Sequence, residues 1–81
     1  MENVFVLFIN TRLVGVYTSH RKAVQAMIME TLPHGYTMTD YTFDFGVEFY
    51  TFSDPDKSSN EKVYELQEVT PVNGRNPILN T

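Results

Sequence analysis

Apolar and polar positions along the chain follow three different periods. Val4-Phe5-Val6-Leu7-Phe8-Ile9 is an unbroken β-branched and aromatic run, the pattern of a strand buried on both faces. A polar step, Asn10-Thr11-Arg12, leads into Leu13-Val14-Gly15-Val16-Tyr17, and two such runs three residues apart predict a β-hairpin. Gly15 marks either a bulge or a place where a helix packs close.

From Ser19 the period lengthens. Thr18-Ser19 offers a hydroxyl to cap a helix, and Ala23, Val24, Met27, Ile28 and Leu32 fall on one stripe, which predicts an amphipathic helix of about three turns. Arg21, Lys22, Gln25 and Glu30 then face outward. Pro33-His34-Gly35 ends the helix, because a proline disfavours the α conformation before it and glycine supplies the turn. Arg21 and Lys22 in the first turn oppose the helix dipole, a small cost that suggests a surface kept basic for a reason.

Period two returns after Gly35. Tyr41, Phe43, Phe45, Val47 and Phe49 share one face of a strand, and Thr42, Asp44, Gly46 and Glu48 share the other, as in an antiparallel strand with one wet face. Tyr50-Thr51-Phe52 shifts the phase, which places a bulge or turn between 46 and 51. Ser53 to Lys62 reads as a polar loop, and Val63 to Val69 as the last strand, joined to the one before by a long hairpin. Pro71, Gly74 and Pro77 predict an extended or mobile tail over 71–81. The expected fold is α+β: a single helix packed on an antiparallel sheet, order β-β-α-β-β, with a fifth strand if Gly46 is a true turn, all within one domain over 1–70.

A chain of 81 residues buries only about 60% of its unfolded surface, so the core is thin. There is no cysteine, which excludes disulfides and cysteine-based zinc sites and suits a reducing cytoplasm. The longest apolar run, Val4 to Ile9, is far short of the ~20 residues of a membrane span, and Glu2 stands where a signal peptide would carry a basic residue. An unprocessed cytoplasmic protein is expected. The thin core, together with unpaired edge strands, predicts a homodimer.

The net charge of −4 is unevenly divided. Residues 1–39 set Glu2 and Glu30 against Arg12, Arg21 and Lys22, a net of +1. Residues 40–69 set Asp40, Asp44, Glu48, Asp54, Asp56, Glu61, Glu65 and Glu68 against Lys57 and Lys62, a net of −6. An acidic half repels nucleic acid and anionic membranes and attracts basic surfaces.

Motifs for chemistry are sparse. Asp54, Asp56, Ser58, Asn60 and Glu65 match positions of a calcium loop, but Ser59 stands where the sharp turn needs glycine and Glu61 where an apolar residue packs; an ordinary acidic hairpin loop is the better reading. His20 and His34, at opposite ends of the helix, lie about 20 Å apart at 1.5 Å per residue and share no metal; His20 is read as an exposed first-turn residue. Asp44 and Glu48 are about 13 Å apart along a strand, too far for a glycosidase pair. Phosphate-cradling glycine loops and nucleophile–base constellations are absent. Phe43, Phe45 and Phe49 have Asp44 and Glu48 as neighbours rather than the bases that nucleic-acid stacking sites need, so they read as core. No enzyme, cofactor or metal is expected.

The stretch Val4–Ile9, then Val14-Gly15-Val16-Tyr17-Thr18-Ser19, then Lys22-Ala23-Val24-Gln25-Ala26 resembles the opening of small early host-takeover proteins of tailed bacteriophages, over residues 4–30. The resemblance implies a protein that binds and blocks a host protein, in some cases by mimicking DNA with an acidic surface. The expected function is therefore inhibition of a host protein with a basic, DNA-binding surface, with Asp40, Asp44, Glu48, Asp54, Asp56, Glu61, Glu65 and Glu68 as contacts. The alternative is a module that grips its partner through apolar or aromatic surface or a sheet edge.

Overall fold

The computed structural model describes residues 3–70; the tail expected over 71–81 lies outside the described residues. Five strands and one helix follow in the order β1 (Val4–Ile9), β2 (Arg12–Tyr17), α1 (His20–Thr31), a single 3-10 turn (Leu32–His34), β3 (Thr37–Asp44), β4 (Val47–Asp54) and β5 (Lys57–Val69). All strand pairs are antiparallel, and the sheet order is β2-β1-β5-β4-β3. The long β5 sits in the middle, between the N-terminal hairpin and the β3–β4 hairpin.

The α+β class and the helix on an antiparallel sheet agree with the sequence reading, and the fifth strand arises from the turn at Gly46 that it made the condition, but the strands assigned over 41–49 and the loop over 53–62 do not agree. The segment 41–49 is not one strand. Phe45 and Gly46 both have positive φ, 51° and 77°, as a two-residue type I′ hairpin turn requires. Gly46 is thus a true turn, and the chain reverses there. Phe45, expected in the core, is 95% exposed at the tip. Val47 and Phe49 lie on the opposite face from Tyr41 and Phe43, because directly paired residues share a face and Tyr41 pairs with Tyr50, Thr42 with Phe49 and Phe43 with Glu48. The expected loop 53–62 is also mostly strand: β4 runs to Asp54, Pro55-Asp56 makes the turn, and β5 begins at Lys57. The calcium-like spacing is therefore spread over two strands and their turn. Polar composition misled here because this strand end has no apolar layer to face.

Register assigns the sheet's two faces. Leu7, Tyr64, Leu66, Tyr50 and Phe52 point to the helix side, and with Ala23 and Met27 of α1 they form the buried core. The helix stripe is centred on Ala23, Met27 and Thr31, all buried, rather than on the more exposed Ile28 and Leu32. Thr31 enters the core because its hydroxyl bonds the Met27 carbonyl at 3.0 Å, which satisfies it internally. Glu30, expected to face outward, accepts a hydrogen bond from the Tyr64 hydroxyl at 2.9 Å. The helix begins as the sequence indicates: the Ser19 hydroxyl accepts from the Lys22 amide at 3.1 Å. It ends through the 3-10 turn onto Gly35, whose φ of 84° is left-handed. β1 is an interior strand, yet only Leu7 is fully buried, since one face of the sheet carries no helix.

Candidate protein-docking surface

One helix cannot cover both faces of a five-stranded sheet, and α1 lies over β1, β2 and β5 on one side. The other face is open among the described residues. It carries apolar side chains on either side of the middle strand, Val4, Val6 and Phe8 of β1 and Val47 and Phe49 of β4, all partly exposed, while β5 contributes Val63 and sets Glu65 and Gln67 between the two groups. These side chains shield one another only in part, as expected of a half-covered sheet.

Four of the eight acidic residues singled out from sequence lie on this face. Asp40 pairs with Thr51 and Asp44 with Val47 on β3; Glu61 pairs with Ser53, and Glu65 with both Phe49 and Phe8, on β5. Residues four apart on a strand are about 13 Å apart, and β3 and β5 are about 10 Å apart across β4. The carboxylates therefore form two staggered rows with Phe49 and Thr51 between them. Glu65 is held by a hydrogen bond from the Gln67 amide. The other four acids are elsewhere. Asp54 and Asp56 sit at the β4–β5 turn, where Asp54 accepts from the Asp56 amide at 2.9 Å. Glu48 and Glu68 point to the helix side, since they pair with Phe43 and Leu66 and with Phe5 respectively.

Glu48 is the centre of a cluster that local sequence patterns do not show. Its carboxylate bonds the His20 ring nitrogen at 2.6 Å through one oxygen and accepts from the Tyr41 hydroxyl at 2.6 Å through the other. The first turn of α1 is thereby tied to the β3–β4 hairpin. Burial alone would push the Glu48 carboxyl up, but the hydrogen bonds from Tyr41 and His20, the charge of His20 and the Tyr50 hydroxyl together hold it below its ordinary value. The Tyr41 hydroxyl is pushed up by its bond to Glu48, and that of Tyr50 by burial and then by the charge of Glu48. His20 is exposed in the first turn, as expected, and there it also fastens the helix to the hairpin. The participants are 28 and 7 residues apart from Glu48, so only the true β3–β4 register could have brought them together. Beside the cluster lies a small open cavity of about 170 Å³, walled by Phe5, Phe43 and Leu66 and by His20, Glu48 and Glu68.

On the helix side, the β3–β4 hairpin projects beyond α1. Met38, Tyr41 and Phe43 of β3 are 54%, 46% and 65% exposed, so Phe43 is no more a core residue than Phe45. Between this hairpin and α1 runs a groove of about 240 Å³, lined by Val24, Ile28 and Leu32 on one side and Met38, Tyr50 and Phe52 on the other.

No group of three His, Asp or Glu side chains among the described residues is placed to hold a metal ion, and no described helix is long and apolar enough to cross a membrane. No protein-family model, curated protein or solved structure matches this chain.

Proposed function

We propose that this chain is a non-enzymatic binding module that docks a basic and partly apolar surface of another protein onto the open face of its sheet. The observation that carries the reading is the composition of that face: apolar groups on β1 and β4, Glu61 and Glu65 between them on β5, Asp40 and Asp44 beyond them on β3, and no lysine or arginine on β1, β3 or β4. The carboxylates steer a basic partner and set its orientation; the valines and phenylalanines supply the short-range contact.

Charge spacing bears on whether the face imitates nucleic acid. Two rows with one carboxylate per ~13 Å each give about one charge per 6.5 Å of length, whereas duplex DNA carries one per ~1.7 Å. The face thus has about a quarter of the charge density of DNA, and apolar contact must supply the remainder. This favours a mixed acidic–apolar mode over mimicry by charge alone. The hairpin–helix opening at 4–30 supports placing the module among small phage-type proteins that occupy a basic, DNA-binding surface of a host protein and so inhibit it.

The test is affinity capture from bacterial lysate at low and high salt, comparing wild type with a variant carrying Asp40→Lys, Asp44→Lys, Glu61→Lys and Glu65→Lys. A partner held by wild type and lost by the variant, with weakened capture at high salt, is the expected result. Retention of the partner by the folded variant would refute the assignment of this face.

A further inference from the structure

β3 is an edge strand: it pairs with β4 and, among the described residues, has no neighbour on its other side. All eight of its residues are exposed. An edge of this length is a template for another strand. Its residues present two different chemistries. Toward the open face it shows Asp40, Thr42 and Asp44; toward the helix side it shows Met38, Tyr41 and Phe43, beside the apolar groove under Ile28 and Leu32.

We propose that β3 receives an extended segment of the partner protein as a sixth strand, and that this segment alternates basic and apolar residues. The inference rests on the docking reading above and specifies its mode. A strand added beside β3 places its side chains on alternate faces, with directly opposed Cβ atoms about 5 Å apart. On the open face, lysine or arginine side chains four residues apart meet Asp40 and Asp44, which have the same spacing. On the helix side, the two intervening apolar side chains lie beside the exposed Tyr41 and Phe43. The sequence this selects is basic–apolar–polar–apolar–basic.

Charge decides against a second copy of this chain as the occupant. Two β3 strands paired with each other would bring two copies of Asp40 and Asp44 onto one face with no cation on either strand, and like charges opposed across a pair destabilise it. A basic segment relieves the same carboxylates that exclude a second copy.

The size of the site agrees. Five strands by about six residues give a face of roughly 24 by 20 Å, about 500 Å², below the ~800 Å² that each partner contributes to a standard interface. An added strand extends the same surface across the edge.

The experiment titrates the isotope-labelled full chain with a blocked peptide containing Lys-Leu-Thr-Leu-Lys, following backbone amide shifts and hydrogen exchange. Saturable binding with new protection confined to β3 is expected. Asp40→Lys with Asp44→Lys should weaken it about ten-fold and allow the counterpart Glu-Leu-Thr-Leu-Glu to bind. Phe43→Ser, a neutral change at an exposed site within the covered span, should weaken both peptides alike. Absence of binding, or shifts that map away from β3, would overturn the inference. So would binding that appears only after removal of residues 71–81, because the edge would then be occupied by this chain's own C-terminal segment. The open-face reading is judged separately, by loss of the lysate partner on Glu61→Lys with Glu65→Lys, which lie on β5 away from the edge.

Discussion

Replacing Glu48 by glutamine tests the fastening of the helix to the hairpin. The change keeps shape but removes the charge that receives His20 and Tyr41 at 2.6 Å each. A hydrogen bond to a charged group contributes about 1.5–3 kcal/mol, and a neutral one about 0.5–1.5. The His20 ring is 49% exposed, and Tyr41 is also open to water, so solvent screens both bonds and the lower ends apply. The His20 bond then accounts for a difference of about 1 kcal/mol, which for a domain of this size corresponds to a fall in Tm of about 4–8 °C, and the Tyr41 bond, open to water, adds little. The effect must also depend on pH in one direction. Because the folded-state pKa of Glu48 is depressed, its contribution is complete above the unfolded value of about 4.3 and is lost as pH falls through the lower folded value. Thermal melts of wild type and Glu48→Gln, followed by circular dichroism between pH 3 and 7, should therefore diverge at neutral pH and converge in acid. A gap that stays constant across that range would show that the carboxylate charge plays no part in joining α1 to the hairpin.

Two stability predictions follow from the turns and the core. Phe45 and Thr11 occupy left-handed conformations, φ 51° and 71°, in two-residue turns that favour asparagine and glycine; Phe45→Asn and Thr11→Gly should each raise stability by about 1 kcal/mol in urea unfolding. For Phe45 nothing buried is lost, since the ring is almost fully exposed; a fall in partner capture alongside the gain in stability would identify it as a contact. Leu7→Ala removes the one fully buried side chain of β1, packed against α1 and opposite Leu66, and should cost about 2–5 kcal/mol by the same measurement; a cost below 1 kcal/mol would mean that the helix does not seat on β1 as described.

Elements defined by strong local signals were legible in the sequence. The N-terminal hairpin follows from two apolar runs, and α1 from a capping serine and a 3.6-residue stripe closed by Pro33 and Gly35. The β3–β4 hairpin was harder to read, because its turn is Phe45-Gly46 and a phenylalanine there continues the apolar alternation that a turn should interrupt. That one misplacement put Phe43, Phe45, Val47 and Phe49 on a common face. It also concealed that Glu48 faces His20. The same kind of error hid the first part of β5: Lys57 to Lys62 contains no apolar residue, so no hydrophobic alternation reveals a strand there. The acidic half was legible as composition, but its division into four carboxylates on the open face, two at a turn and two on the helix side depends on register alone.

The architecture itself argues for a partner. A helix of 12 residues laid on a five-stranded sheet buries one side and leaves Val6, Phe8, Phe49 and Val63 partly in water on the other, where most folds would place a second helix or a second sheet. Self-association would be the simplest way to cover such a face, and the thin core gives it a motive. Yet pairing two open faces would bring eight carboxylates together, from Asp40, Asp44, Glu61 and Glu65 of each copy, among apolar side chains that would otherwise favour contact. On the proposed reading the acids act as a filter: they would leave the apolar surface available to a basic partner and withhold it from another copy of the same chain.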